Sequence, residues 1–325
     1  MTRRAAVQLL GTGLLIGWCL IFFRSETTEQ SVVRAVLAEP AATGWSIGLL
    51  YQFPEAAADS AEADVSIRFC FGRGETPQAA LAAAEENLPQ KANYRLCDHL
   101  VLGREANASL YDTMDHWENL LRENSCGRLS ARVFCTEFSI QELADAAEEK
   151  AELPEQLLQT LKTTSAPPRL YEHQKGCLLP VLTLEGGSAS CRKERLLVSA
   201  FSQTDLSESE SKMFLFLTGK QKIVSFDLEG SGQTITLTRR AQAVEMQDDG
   251  FRVELTAQHK AGTTLPPAET CRKLENLICQ VVQTGWEQGS DLLQLGAAEQ
   301  LRTGQSEGAS TKNVCPQLRA DVVIY

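Results

Sequence analysis

The sequence predicts an α+β protein: an N-terminal mixed αβ domain and a C-terminal antiparallel sheet packed with a long helix, behind an N-terminal membrane anchor. Three observations predict it. Residues 5–23 form an uncharged, apolar run. From there to Leu161, short β-type runs alternate with capped amphipathic segments. After Leu196 the chain turns to hairpin-like alternation, then one long helical stripe and a last β-type run. The expected division is 1–25 membrane anchor or signal segment, 26–165 N-terminal α+β domain, 166–194 linker or small middle segment, and 195–325 C-terminal sheet-plus-helix domain.

As a helix, Ala5 to Phe23 would span about 28 Å, close to the hydrocarbon core of a bilayer. Arg3 and Arg4 precede it, and Glu26 and Glu29 follow Arg24. The positive-inside rule therefore puts the N-terminus in the cytoplasm and the bulk of the chain outside. Three forms of this segment compete. An uncleaved anchor fits the length. A cleaved signal needs a small-residue site, and Ala35 and Ala38 lie far from the apolar run. A lipoprotein signal would lipidate Cys19, but bulky Trp18 stands before it, and Leu20 to Phe23 continue the apolar core. The uncleaved helix is the preferred form.

The elements follow in order. A helix is expected to start at Glu29. Trp45 to Phe53 and the alternating Val65 to Phe71 read as strands. Gly72-Arg73-Gly74 lacks the third glycine of a dinucleotide loop and reads as a strand-to-helix turn. Thr76 and Pro77 supply an N-cap and a first-turn proline for a helix carrying Ala80, Leu81, Ala84 and Leu88 on one face. His99 to Gly103 is a short strand. Leu110, Met114, Trp117 and Leu121 mark a periodic helix. Arg132 to Phe138 is a strand, Ser139 to Glu142 a capping box opening a helix, and Pro154 to Leu161 a further helix.

Thr163 to Pro168 reads as a linker, and Leu178 to Leu184 as an isolated strand. Leu196 to Phe201 is a strand, and Ser207 to Glu210 a second capping box leading into Met213 to Leu217. Runs at Lys222–Glu229, Gln233–Arg240, Ala241–Gln247 and Phe251–Gln258, with turns at Gly230–Gly232 and Asp248–Gly250, predict an antiparallel meander. Pro266 and Pro267 open a long helix whose inner stripe is Cys271, Leu274, Ile278, Val281 and Gly285. Asp321 to Tyr325 is a closing strand.

Composition excludes some functions. Lys and Arg number 31 against 42 Asp and Glu. The first 24 residues hold three Arg and no acid, leaving 28 bases against 42 acids, a formal −14, for the rest. Such a surface repels nucleic acid, and none is expected as a partner. Arg192-Lys193 and Arg239-Arg240 read as solvated faces. No nucleophile elbow, Walker loop, zincin or Rossmann motif is present. The ten Cys (19, 70, 97, 126, 135, 177, 191, 271, 279 and 315) contain no C-x-x-C pair. Cys177 with Cys191, or Cys126 with Cys135, could close loops, but their apolar settings favour buried thiols. The four His (99, 116, 173 and 259) are scattered, and Cys97-Asp98-His99 is too small a set for a metal. Asp112 and Asp115, like Glu85 and Glu86, read as solvated helix faces. No catalytic residue, cofactor or metal site is expected, so the chain is expected to bind rather than catalyse.

The order of these segments resembles the C subunits of spore nutrient-germinant receptors, the Ger(x)C family. Thr28 to Leu37 stands where that family has an opening helix. Thr76 to Ala79 is similar to the start of its long helix, and His99 to Ala106, with Gly103-Arg104-Glu105, to its His-containing strand. Leu110 to Arg122, Ser130 to Phe138 and Gln141 to Ala144 resemble the helix, strand and helix that follow. Leu178 to Leu184, Val198 to Glu210, Glu287 to Gly296 and Asp321 to Tyr325 resemble its later segments. The resemblance implies a non-enzymatic, extracytoplasmic subunit at the spore inner membrane, partnered by two polytopic subunits of A and B type. It also implies a lipidated cysteine, for which Cys19 is the candidate. It names no ligand residue. The alternative is a membrane-anchored ligand-binding or scaffold protein unrelated to germination.

Overall fold

Ser31–Ala41 is a strand, β1, and not the helix expected to begin at Glu29. Val32, Val33 and Val36 are stiff at χ1 and favour extended backbone. Strands also flank it on both sides. In the computed structural model, which describes residues 30–41, 43–54, 65–103, 109–123, 126–227, 234–247, 250–259, 268–295 and 317–325, β1 lies inside a large sheet. The apolar run at 5–23, with Cys19, lies outside the described residues. Among those residues no helix is long and apolar enough to cross a membrane.

The architecture is α+β, with two sheets. In the first, β1 pairs antiparallel with β2 (Gly44–Pro54), which pairs antiparallel with β3 (Val65–Gly74). On its other side β1 runs parallel to the two-residue β4 (Ala92–Asn93) and to β5 (His99–Gly103). β6 (Arg132–Thr136) and β7 (Cys177–Glu185) continue in parallel, and β8 (Ser188–Val198) and β9 (Gln203–Leu206) close the sheet antiparallel. Residues 166–194, expected as a linker or small middle segment with an isolated strand, contribute β7 and the start of β8 to this sheet. Leu178 to Leu182 are buried, and they find partners on both sides.

Helices cover both faces. α1 (Pro77–Glu86) and α2 (Leu110–Glu123) share a core with Leu100, Leu102, Val133 and Cys135. α3 (Ile140–Glu149) and α4 (Leu153–Thr163) share another with Val101, Phe134 and Leu182. The period of two along β5 and β6 sends alternate residues to opposite layers. A 3₁₀ turn, Leu170–Lys175, leads into β7.

The second sheet has the order β10 (Ile223–Asp227), β11 (Thr234–Gln247), β12 (Gly250–His259) and β13 (Gln317–Ile324). The two runs expected at Gln233–Arg240 and Ala241–Gln247 are one strand, bent by a bulge between Arg239 and Ala241. β13 runs parallel to β12, so the sheet is not wholly antiparallel. The long helix α6 (Ala268–Glu287) lies between them in sequence and makes the crossover a parallel pair requires. Phe251, Val253, Leu255 and Ala257 alternate into a core with α6 and with α5 (Glu208–Leu217). Leu178, Leu197 and Leu206 of the first sheet join this core too, so the two sheets share buried surface.

Gly72 and Gly74, expected in a turn, lie within β3. A Cβ on Gly72 would stand 2.2 Å from the Ala84 nitrogen, and one on Gly74 2.4 Å from the Ala80 nitrogen. Helix α1 therefore rests directly on the β3 backbone. Thr76 starts it there, its hydroxyl accepting from the Ala79 N–H at 3.1 Å. Gly72→Ala is expected to cost roughly 3 kcal/mol in urea unfolding, against under about 1 kcal/mol for Gly127→Ala. The latter meets only the tip of Leu121, at 3.2 Å.

Candidate functional site

β1, β5 and β6 run parallel, so their carboxyl ends share one edge of the first sheet. That edge is where open α/β sheets bind ligands. β3 ends there as well, because it is antiparallel to β2 as β1 is. A cavity of about 610 Å³ lies here, between the β1–β2 turn, the end of β3 and the start of α3.

Glu75 and Glu39 both line this cavity, and Glu39 is the less exposed of the two. Its carboxylate accepts from the Ile140 N–H at 3.1 Å, at the positive end of α3. Gly103 makes room for it, since a Cβ there would stand 2.7 Å from Glu39 Cβ and Cγ. Arg73 donates from Nη2 to Gln141 Oε1 at 2.7 Å. Ser139 and Glu142 form the expected capping box. The Trp45 ring lies 6.2 Å from that of His116, which is exposed as expected. These polar groups hold one another and fix where α3 begins. The arrangement forms a polar concavity at the edge of the sheet. Sequence reasoning missed Glu39 because it assigned that stretch to a helix. The signal was Glu39-Pro40 at the end of an apolar run, which reads as the exit of a buried strand. Arg104 and Glu105, which follow Gly103, lie outside the described residues.

A second polar cluster is buried between α2 and the 3₁₀ turn. His173 is fully buried, with Nδ1 2.8 Å from the Leu170 carbonyl oxygen and 3.4 Å from Glu118 Oε2. Its Nε2 lies 3.9 Å from Asp115 Oδ1. Glu118 accepts from Arg122 Nη2 at 2.5 Å. The Tyr111 ring packs 5.2 Å from the imidazole. Asp112, Asp115, Glu85 and Glu86 are exposed, as their helix positions suggested. Glu118 is not, and its place one turn after Met114 on the apolar stripe was the available signal.

Cys97 and His99 do not converge. Cys97 packs in the α1/α2 core, whereas the His99 ring lies 6.1 Å from Phe134 of the opposite core. Burial drives the His99 pKa down to about 4, against a backbone hydrogen bond to the Arg34 carbonyl that pulls it up. None of the eight described cysteines is joined in a disulfide. Cys177 stands opposite Val198 and Cys191 opposite Leu182, so the hairpin register separates the first suggested pair. Cys126 and Cys135 are buried in the α1/α2 core without a bond between them. Burial pushes the Cys70, Cys97 and Cys177 thiols up to about 12 and Cys126 up to about 11. At neutral pH these thiols are protonated and poor nucleophiles. Among the described residues no group of three or more possible ligands could hold a metal ion.

Of the basic pairs, Arg192 meets Glu137, Lys193 meets Glu208, and Arg240 meets Gln258. Arg239 departs from the expected solvated face. Its Nη1 donates to the Phe216 and Leu217 carbonyls at 2.9 and 2.6 Å and so caps the end of α5.

No model of a known protein family matches the chain. No curated protein matches it. Among solved structures, it is similar to one described as the crystal structure of the GerBC protein, at 10% sequence identity and a TM-score of 0.45. That similarity covers 89% of this chain and 96% of the other. No residue role is carried over from it.

Two predictions follow from the buried groups. Between about pH 6.5 and pH 4 the unfolded chain binds a proton at His99 that the folded chain refuses. The stability His99 contributes is therefore complete above about pH 6.5 and lost as pH falls towards 4. Urea unfolding across that range should show a stability slope for His99→Gln that is shallower than wild type by up to about one proton. With iodoacetamide at neutral pH, mass spectrometry should find Cys97 and Cys177 unlabelled in the native chain and labelled in denaturant.

Proposed function

We propose that this chain is the non-enzymatic, extracytoplasmic subunit of a membrane nutrient-germinant receptor, working by association with two polytopic A- and B-type subunits to trigger spore germination. The observation that carries the proposal is the order of its segments. A His-containing strand ending at Gly103, a helix closing near Arg122, a strand, a Ser139-capped helix, the Leu178–Leu184 strand, the capped α5 and a closing strand succeed one another as in the Ger(x)C family. The order runs through both sheets, and chance agreement of one weak motif does not produce it. The opening helix of the family pattern is the exception, since β1 takes its place.

Two further observations support binding over catalysis. The polar groups at the carboxyl edge of the first sheet are engaged in positioning α3. The buried Cys97 and Cys177 thiols are held protonated by their surroundings. The apolar run at 5–23 would tether the chain to the spore inner membrane, with Cys19 as the alternative point of lipid attachment.

Deleting the gene in its own spore-forming host should abolish or slow the response to at least one nutrient germinant, read as loss of optical density and release of ions. The tagged chain should co-purify from spore membranes with two polytopic proteins. Mass analysis of its N-terminal peptide should show an intact apolar segment, and a diacylglycerol on Cys19 would replace the helix anchor with a lipid one. Normal germination in every nutrient, with no polytopic partner recovered, would instead support the unrelated anchored-scaffold alternative.

A further inference from the structure

Two described non-glycine residues adopt positive φ, Ala166 at 48° and Gln294 at 58°, and both line the same cavity. Backbone strain of this kind persists only where the surroundings enforce it, and it gathers at ligand clamps and switch regions. The cavity measures about 450 Å³ and lies where the first sheet, the 3₁₀ turn, α5 and the segment after α6 meet. That volume falls within the range of small-molecule sites.

Fixed bonds hold each strained segment. Arg195, only 7% exposed, donates to the Ser165 carbonyl at 2.6 Å and the Ala166 carbonyl at 3.2 Å. Asp291 Oδ1 accepts from the Leu295 N–H at 2.7 Å, across the turn that contains Gln294. Ser290 donates to the Lys175 carbonyl at 3.3 Å, beside Gly176 at φ 78°. A Cβ on Gly176 would stand 2.6 Å from the Ser290 Oγ. Three separate stretches of chain are thus braced around a void. Collapse into it would bury apolar surface and release strain, yet the bracing prevents both.

We propose that this cavity is a binding site for a small amphipathic molecule with no net charge and an apolar aliphatic or aromatic body. The lining chooses the class. Leu178, Phe214, Leu215 and Leu292 supply carbon surface. Glu172 and Asp291 oppose Lys175 and Lys220, and Lys220 is already ion-paired with Glu172. Two acids against two bases give no net field to select an ion, while carbon surface selects a hydrophobic body. The site does not depend on the receptor proposal and would serve an unrelated anchored protein equally.

The test uses the full chain in lipid nanodiscs, with ¹³C-methyl leucine, titrated with benzyl alcohol, benzoate and benzylammonium. Benzyl alcohol should shift the Leu178, Leu215 and Leu292 methyls saturably at millimolar concentration, with the two ions binding about tenfold more weakly or worse. Leu292→Trp should fill the void and abolish the shifts while distant methyls keep their positions. Thr218→Trp, from the α5 side of the lining, should do the same and stands in if the first variant does not fold. No saturating shift at these methyls would overturn the proposal, as would tighter binding of either ion or shifts that survive filling.

Discussion

Burial of β1 and β5 on both faces is the constraint on which the rest of the molecule depends. Val33, Ala35, Val36, Leu37 and Ala38 have almost no exposed surface, and neither do Leu100, Val101 and Leu102. A strand in that position needs a helix layer above and below and a hydrogen-bonded strand on each side. The antiparallel hairpins at the two ends of the sheet then supply edges that can face water. With apolar burial near 25 cal/mol per Å², about 2 kcal/mol for each large side chain, these strands contribute a large share of the first sheet's stability. The glycines of β3 serve the same end, letting α1 lie on the sheet without a layer of side chains between them.

This constraint also explains what the sequence reveals and what it hides. Half-buried elements announce themselves. The stripe of α2, both Ser-x-x-Glu capping boxes and the alternation of Phe251 to Ala257 are periodic because one face meets water. A strand buried twice has no period. Val32 to Leu37 carries apolar residues on both faces and reads as readily as a helix. Leu178 to Leu184 has a strand's composition but no signal for its partners, so it was assigned to a linker region rather than to the middle of a sheet. The bulge at Arg239/Ala241 reads as a break between two strands for a related reason: a register shift leaves no residue signature.

The polar residues that matter most were legible only as residue types. Glu118, Arg195 and Arg239 are charged side chains in half-apolar segments, and composition places such groups in solvent. Each is instead held by a partner far less visible in sequence: an arginine one turn away on Glu118 Oε1, the carbonyls of Ser165 and Ala166, and the last carbonyls of α5. Arginine suits the last two roles because its planar fork holds several acceptors at once. Both arginines brace the region where the two sheets meet.

That bracing bears on what the protein can do. If the chain is the receptor subunit proposed above, it needs parts that keep their shape and a junction that meets its partners. The carboxyl edge of the first sheet, with Glu39 locked to α3 and Arg73 to Gln141, belongs to the first kind. At the junction Ala166 and Gln294 are held at positive φ by the bonds of Arg195 and Asp291. A molecule bound there could favour one packing over another only by as much as its affinity differs between them.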